Sequence, residues 1–290
     1  MRRSGLRWLP ALFLSLQTAC GGSRAVTHPP PRAQQEQTRQ PKPVDSVPTA
    51  DAHAVSLIAA EPELMQLAVE GHHPAWISLL PEAERQPVLF AMHGAGGYAE
   101  WHCSHWRELL GKRGLIVCPA GDPIGPGLDY GFYFRDHFAL RKEVLAVLHA
   151  VATQLTSQAD LERSVFLGYS QGATMGVHAL FVDDSAAKDV SMRIFSKLVL
   201  VEGGFSEWSV GRGLSFAKQG GQRVLFACGT RGCDRAAQRS REWLARASVD
   251  AQAVLAEHAG HTPAGRVGDA VRAHWDWLVA DDVRWHVREQ

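Results

Sequence analysis

The segment Gly168-Tyr169-Ser170-Gln171-Gly172 sets a serine between two glycines. A serine attacks a carbonyl carbon only if its hydroxyl stands clear of the backbone and a base takes its proton. The flanking residues provide the first condition. Val165-Phe166-Leu167 is an apolar run of strand type, and Gln171 to Gly176 opens a helix of small residues. At a sharp strand-to-helix turn the neighbouring backbone passes close by, which calls for glycine on both sides of the serine. The N-terminus of the helix then stabilises the negative charge that develops during attack. A glycine-rich turn with a merely structural serine is the competing reading.

Such a serine needs a rigid scaffold, and the rest of the chain has the pattern of one. Short apolar runs predict strands over 75–80, 88–92, 115–118, 164–169, 197–201, 223–227 and 251–257. Between them, apolar residues at helical spacing predict helices over 100–113, 137–155, 171–181, 235–247 and 265–279. Residues 203–219 are weakly patterned. Regular alternation of strand and helix implies right-handed βαβ units and a mostly parallel sheet. The loop from Ala120 to Phe134 is rich in Gly, Pro and aromatic residues.

The 290 residues are 46% hydrophobic, enough for one core domain of about 230–240 residues with tails. Lys+Arg and Asp+Glu are 30 each, a balance that argues against a nucleic-acid partner. Arg2, Arg3 and Arg7 precede an apolar run from Trp8 to Leu16, the pattern of an export signal too short to span a bilayer. The following Gln17-Thr18-Ala19-Cys20 resembles the lipobox of bacterial lipoproteins, with Cys20 as the acylated residue, although Gln17 stands where Leu is usual. A plain signal peptide is the alternative. Residues 1–20 are thus read as signal, 21–52 as a Pro/Gln-rich tether and 53–290 as the folded domain. The expected location is the periplasm or outer membrane, with membrane contact through the lipid alone. Four further cysteines suit disulfides in an exported chain, and local spacing favours Cys228 with Cys233 and Cys103 with Cys118. The spacing matches no standard zinc pattern, and an all-cysteine site would need the four to converge. His102 and His105 bracket Cys103, where a helix wall is preferred to a metal site.

Strand, G-x-S-x-G and helix in this order resemble the nucleophile elbow of the α/β-hydrolase superfamily. The resemblance spans about residues 75–280 and is greatest to dienelactone-hydrolase-like and carboxylesterase-like members. It implies a mostly parallel central sheet with helices on both faces, and the chain order nucleophile, acid, histidine. His261, after Gly260 in the loop beyond strand 251–257, matches the family's base; His258, nearer the strand end, is the alternative. Asp234 has the relative position of the acid, but lies five residues beyond Gly229, a departure from the commoner spacing that a Cys228–Cys233 bridge would accommodate. Glu202, at the end of strand 197–201, is where other members place the acid, and Asp234 as a helix N-cap is the non-catalytic reading. The resemblance assigns the oxyanion donors to the amide of Gln171 and to the loop His93-Gly94-Ala95-Gly96-Gly97, with Ala95 first and Gly96 next; His93 is read as structural. Tyr130, Phe132 and Tyr133 either line the substrate pocket or cap the core. The implied activity is cleavage of a small-molecule ester through an acyl-enzyme, with no cofactor and no metal. Peptidase and acyltransferase chemistry use the same groups, and an inactive fold serving as a cell-surface binding module is the reading outside the enzymes.

Overall fold

A computed structural model of the chain describes residues 63–80, 85–182 and 191–286, all within the unit Leu57–Gln290. The expected signal, Cys20 and the 21–52 tether lie outside the described residues.

The strands form where the sequence is apolar on both sides of the pleat. Strands β1 (Glu63–Leu67) and β2 (Ala75–Leu79) lead to β3 (Gln86–Met92), which is buried along its whole length. Helix α1 (Ala99–Leu110) and strand β4 (Leu115–Cys118) follow. The aromatic loop contributes two short paired strands, β5 (Asp122–Pro123) and β6 (Phe132–Tyr133). Helix α2 (His137–Gln154) starts at Asp136, whose side chain accepts from the Ala139 amide at 2.8 Å and so satisfies an otherwise orphaned donor. Then come β7 (Ala159–Tyr169), α3 (Gln171–Leu180), β8 (Lys197–Val201), α4 (Val210–Lys218), β9 (Arg223–Cys228), α5 (Arg231–Arg246), β10 (Asp250–Leu255) and α6 (Arg266–Val279).

Eight strands make one sheet in the order β1-β2-β4-β3-β7-β8-β9-β10. Strand β2 runs antiparallel to both its neighbours, and the pairs from β4 through β3 to β10 are all parallel. Because successive side chains on a strand point to opposite faces, the sheet sorts its apolar residues into two cores. Val88, Phe90, Phe166, Leu198 and Phe226 face α2, α3, α4 and α5, where Val144, Val177, Phe216 and Leu244 meet them. Leu89, Ala91, Leu167, Val199 and Ala227 face α1 and α6, where Trp106, Val271 and Trp275 close the layer. One disulfide sits in each core: Cys103 of α1 bonds Cys118 of β4, and Cys228 bonds Cys233, the pairing expected from spacing. No helix among the described residues is long and apolar enough to cross a membrane.

Of these strands and helices four were not anticipated: the short β5 and β6 within the aromatic loop, together with β1 and α4. Strand β1 lies outside the regular alternation, and α4 forms within the weakly patterned stretch. Gly211 and Gly213 dilute the helical signal of α4, whose start is fixed by Ser209 accepting from the Arg212 amide at 3.2 Å.

Phe166, fully buried in β7, packs edge-to-face on Phe195 with centroids 5.4 Å apart, and Phe195 meets Phe90 in the same way at 5.4 Å. Truncation of Phe166 to Ala is expected to cost about 3–5 kcal/mol. It should lower the midpoint of chemical denaturation with an unchanged m-value; a shift below about 1 kcal/mol would mean the site collapses around the loss.

Candidate active site

Ser170 lies between the end of β7 and the start of α3, with φ 51° and ψ −111°. A side chain with positive φ is strained, and such strain persists only where the surroundings fix it. Here the Ser170 amide donates to Val201 O at 2.8 Å, tying the turn to the neighbouring strand. One strand over, Glu202 repeats the arrangement with φ 50° and its amide on Ala227 O at 3.0 Å. Two strained residues therefore stand side by side at the carboxyl ends of β7 and β8.

His261 joins them. The Ser170 hydroxyl lies 2.8 Å from His261 Nε2, placed to donate to it, and His261 Nδ1 lies 3.0 Å from Glu202 Oε2, where an Nδ1–H donates to the carboxylate. The Glu202 side chain is 2% exposed and that of His261 52% exposed, so the chain of hydrogen bonds runs from the interior to the surface. The other carboxylate oxygen of Glu202 accepts from the amides of Gly229 and Thr230 at 2.5 and 2.9 Å. The loop holding His261 is fixed from two directions. The Tyr169 hydroxyl donates to His261 O at 3.0 Å, and the ring of His105 on α1 bonds Pro263 O at 3.1 Å. His258 is exposed in the preceding turn and does not reach Ser170.

The structure departs from the sequence expectation at the acid. Asp234 does not meet His261. Helix α5 begins at Arg231 rather than near 235, so Asp234 is already in its first turn, where its carboxylate accepts from Gln238 Nε2 at 3.3 Å. The cap is Thr230, whose hydroxyl accepts from the Cys233 amide. The signal that pointed to Glu202 was present: an apolar strand, Lys197–Val201, ends directly at this polar residue, as the strand ending at Tyr169 leads directly into Ser170.

The loop after β3 packs directly on the serine. A Cβ placed on Gly94 would lie 3.1 Å from Ser170 Cβ and 2.9 Å from the Tyr169 ring, so a side chain here would have to push aside the serine or the ring. Gly96 is excluded as a donor to the site, because its amide donates to Phe132 O at 2.8 Å; Phe132 N in turn donates to Gly97 O at 2.9 Å. Among the described residues the Ala95 amide has no hydrogen-bond partner, and Gln171 heads α3, where its amide has no acceptor within the helix. The Gln171 side chain is turned away and accepts from the Phe134 amide at 2.8 Å. Tyr130 is 67% exposed and Tyr133 half-buried in β6, beside the Gly96–Gly97 pairing. The Tyr98 hydroxyl donates to Asp129 O at 2.9 Å, bracing the same loop.

Two buried histidine rings, His93 and His102, and the half-buried His105 lie beneath or beside this loop, and burial holds their pKa below the ordinary value, strongly for His102. His93 lies between the carbonyls of Gly94 at 2.7 Å and Ala120 at 2.8 Å; as a neutral ring it donates to one of them. His102 Nε2 accepts from the Trp106 indole at 3.0 Å, a contact within the packed face of α1. Among the described residues the cluster with metal-ligand spacing is Glu202, Cys228 and Cys233, and its two sulfurs are bonded to each other.

No family model matches the sequence, and no curated protein matches it. Solved structures do. An esterase from Pyrobaculum calidifontis shares 15% identity over 76% of this chain and 86% of its own, with a TM-score of 0.52. A hormone-sensitive lipase from a metagenome library shares 13% over 78% and 85%, at 0.53. The acylaminoacyl peptidase of Pyrococcus horikoshii shares 16% over 81% of this chain and 44% of its own, at 0.52. The fold is that of the α/β-hydrolases. At these identities the likeness concerns architecture, and the chemistry has to be argued from the residues.

Behind the loop, Glu143 of α2 is buried and accepts from the Gly121 amide at 2.8 Å, which steadies the Ala120 carbonyl beside His93. Burial pushes its carboxyl up to about 7, against the pull of its backbone hydrogen bonds. The folded form therefore binds this proton more tightly than the unfolded chain, and its ionisation removes stability as pH rises from the ordinary 4.5 through about 7. Glu143→Gln keeps the acceptor without the charge. Its denaturation midpoint should fall less than the wild type's between pH 5 and pH 8; parallel profiles would show that Glu143 titrates normally.

Proposed function

We propose that this protein is an exported serine hydrolase that cleaves carboxylic esters through an acyl-enzyme. The observation that carries the reading is the unbroken hydrogen-bond chain from Ser170 through His261 to Glu202. In this reading His261 Nε2 takes the hydroxyl proton as Ser170 Oγ attacks the ester carbon. Glu202 keeps Nδ1 protonated, so that Nε2 is the basic nitrogen, and stabilises the imidazolium once it forms. The negative charge on the carbonyl oxygen is received by the amides of Gln171 and Ala95, helped by the N-terminal end of α3. His261 then returns the proton to the departing alkoxide. Water enters, His261 activates it in the same way, and the acid product leaves Ser170 free. Tyr130 and Tyr133 are assigned to the substrate-facing loop. Export is supported by the two disulfides, and anchoring by the lipobox-like sequence at Cys20.

Ser170→Ala should abolish fluorophosphonate labelling and lower p-nitrophenyl acetate cleavage at least about 10⁴-fold. Glu202→Gln should lower kcat by about 10²–10⁴-fold, whereas Asp234→Asn should stay near wild type. An unlabelled wild type would sink the hydrolase reading, and the opposite ranking of the two acid variants would reassign the acid. The anchor has its own check: intact-mass analysis of the mature protein should show an acylated Cys20 at its N-terminus, and an unmodified mature chain would remove the lipid.

A further inference from the structure

Between Cys228, the last residue of β9, and Arg231, the first of α5, stand only Gly229 and Thr230. The disulfide from Cys228 to Cys233 closes this turn, with Cα atoms 5.5 Å apart. We propose that the closed turn positions Glu202, and that Thr230 is a positioning residue for the reaction assigned above. The inference rests on Glu202 being the partner of His261.

Every polar group of the turn that can donate is aimed at one carboxylate. Gly229 N and Thr230 N reach Glu202 Oε1, and the Thr230 hydroxyl lies 3.3 Å from Oε1 and 3.2 Å from Oε2. A hydroxyl carries one proton and two lone pairs. Thr230 Oγ1 accepts the Cys233 amide at 3.3 Å as the cap of α5, so its proton is left to point at Glu202. The cap thus couples the first turn of the helix to the carboxylate, and the second cysteine of the disulfide is the residue that the cap holds. Both sulfurs approach within 4.8 Å of a Glu202 oxygen.

The same turn also reaches the base. Gly229 O accepts the amide of Gly260, the residue before His261, at 3.1 Å. A Cβ on Gly229 would lie 2.1 Å from Gly260 O, so the two loops touch through bare backbone. Two residues therefore hold the acid by their donors and the base loop by an acceptor. Glu202 itself is buried, on a backbone with φ 50°. The covalent link between Cys228 and Cys233 limits how far the turn between them can move from the carboxylate.

The test compares Thr230→Val, Thr230→Ser and Cys228→Ser/Cys233→Ser with the wild type on p-nitrophenyl acetate, with Glu202→Gln run in parallel. Thr230→Val removes the hydroxyl and keeps the shape; kcat should fall about tenfold with KM unchanged. Thr230→Ser should restore kcat, and the double cysteine variant should share the kcat loss at unchanged KM. A merely structural cap would show as a lowered melting temperature with kcat per folded active site, counted by fluorophosphonate titration, at the wild-type value; that result overturns the proposal. If the double variant does not fold, the two Thr230 variants decide. If Glu202→Gln keeps full activity, the acid assignment itself fails. If Glu202→Gln loses activity while Thr230→Val does not, the positioning proposal alone is wrong.

Discussion

Strand register governs the geometry of the site. In the parallel stretch of the sheet, Tyr169 pairs with Val201 and Val201 with Ala227, so β7 and β8 end at one level and β9 runs one residue further, to Cys228. Residues that leave β7 and β8 one position later must emerge side by side. Ser170 and Glu202 do so, each still anchored by its amide to the next strand. A slip of one residue would exchange the faces of a whole strand and send its apolar side chains to the wrong core. The packing of Leu198, Leu200, Val199 and Val201 into two separate layers therefore fixes the site as firmly as its own hydrogen bonds.

The groups at these strand ends divide the work by depth. Glu202 is enclosed and surrounded by donors, a setting in which a carboxylate is satisfied and immobile. His261 stands half in solvent on a loop, yet its backbone is held by Tyr169 from the serine turn and its loop by His105 from α1. His261 is thus held by a residue 92 positions away, and Pro263 of the same short loop by one 158 positions away. Position in space is set here by cross-links between turns rather than by the stiffness of any one turn.

Much of this was legible in the sequence because it depends on local rules. The strand–glycine–serine–glycine–helix order marks Ser170, the apolar runs mark the buried strands, and the two cysteine pairs follow from spacing. His261 was distinguishable from His258 by the resemblance alone. The carboxylate that meets His261 was misplaced because the start of α5 is hidden: Gly232 in its first turn reads as loop, and the apolar period begins only further on. Whether a carboxylate after β8 or after β9 reaches the histidine depends on where the helix begins, and that is a question of one turn. The occupied amide of Gly96 was equally out of reach, since its acceptor, Phe132, comes from a loop whose path composition does not determine.

That last contact has a further consequence. The backbone of Phe132 exchanges hydrogen bonds with Gly96 and Gly97, so the aromatic loop and the glycine loop are a single ladder rather than two independent surfaces. A lineage that lengthened or reshaped the aromatic loop to admit a different ligand would at the same time move the backbone lying against Ser170. Change at this end of the sheet would then have to come as paired substitutions on both loops.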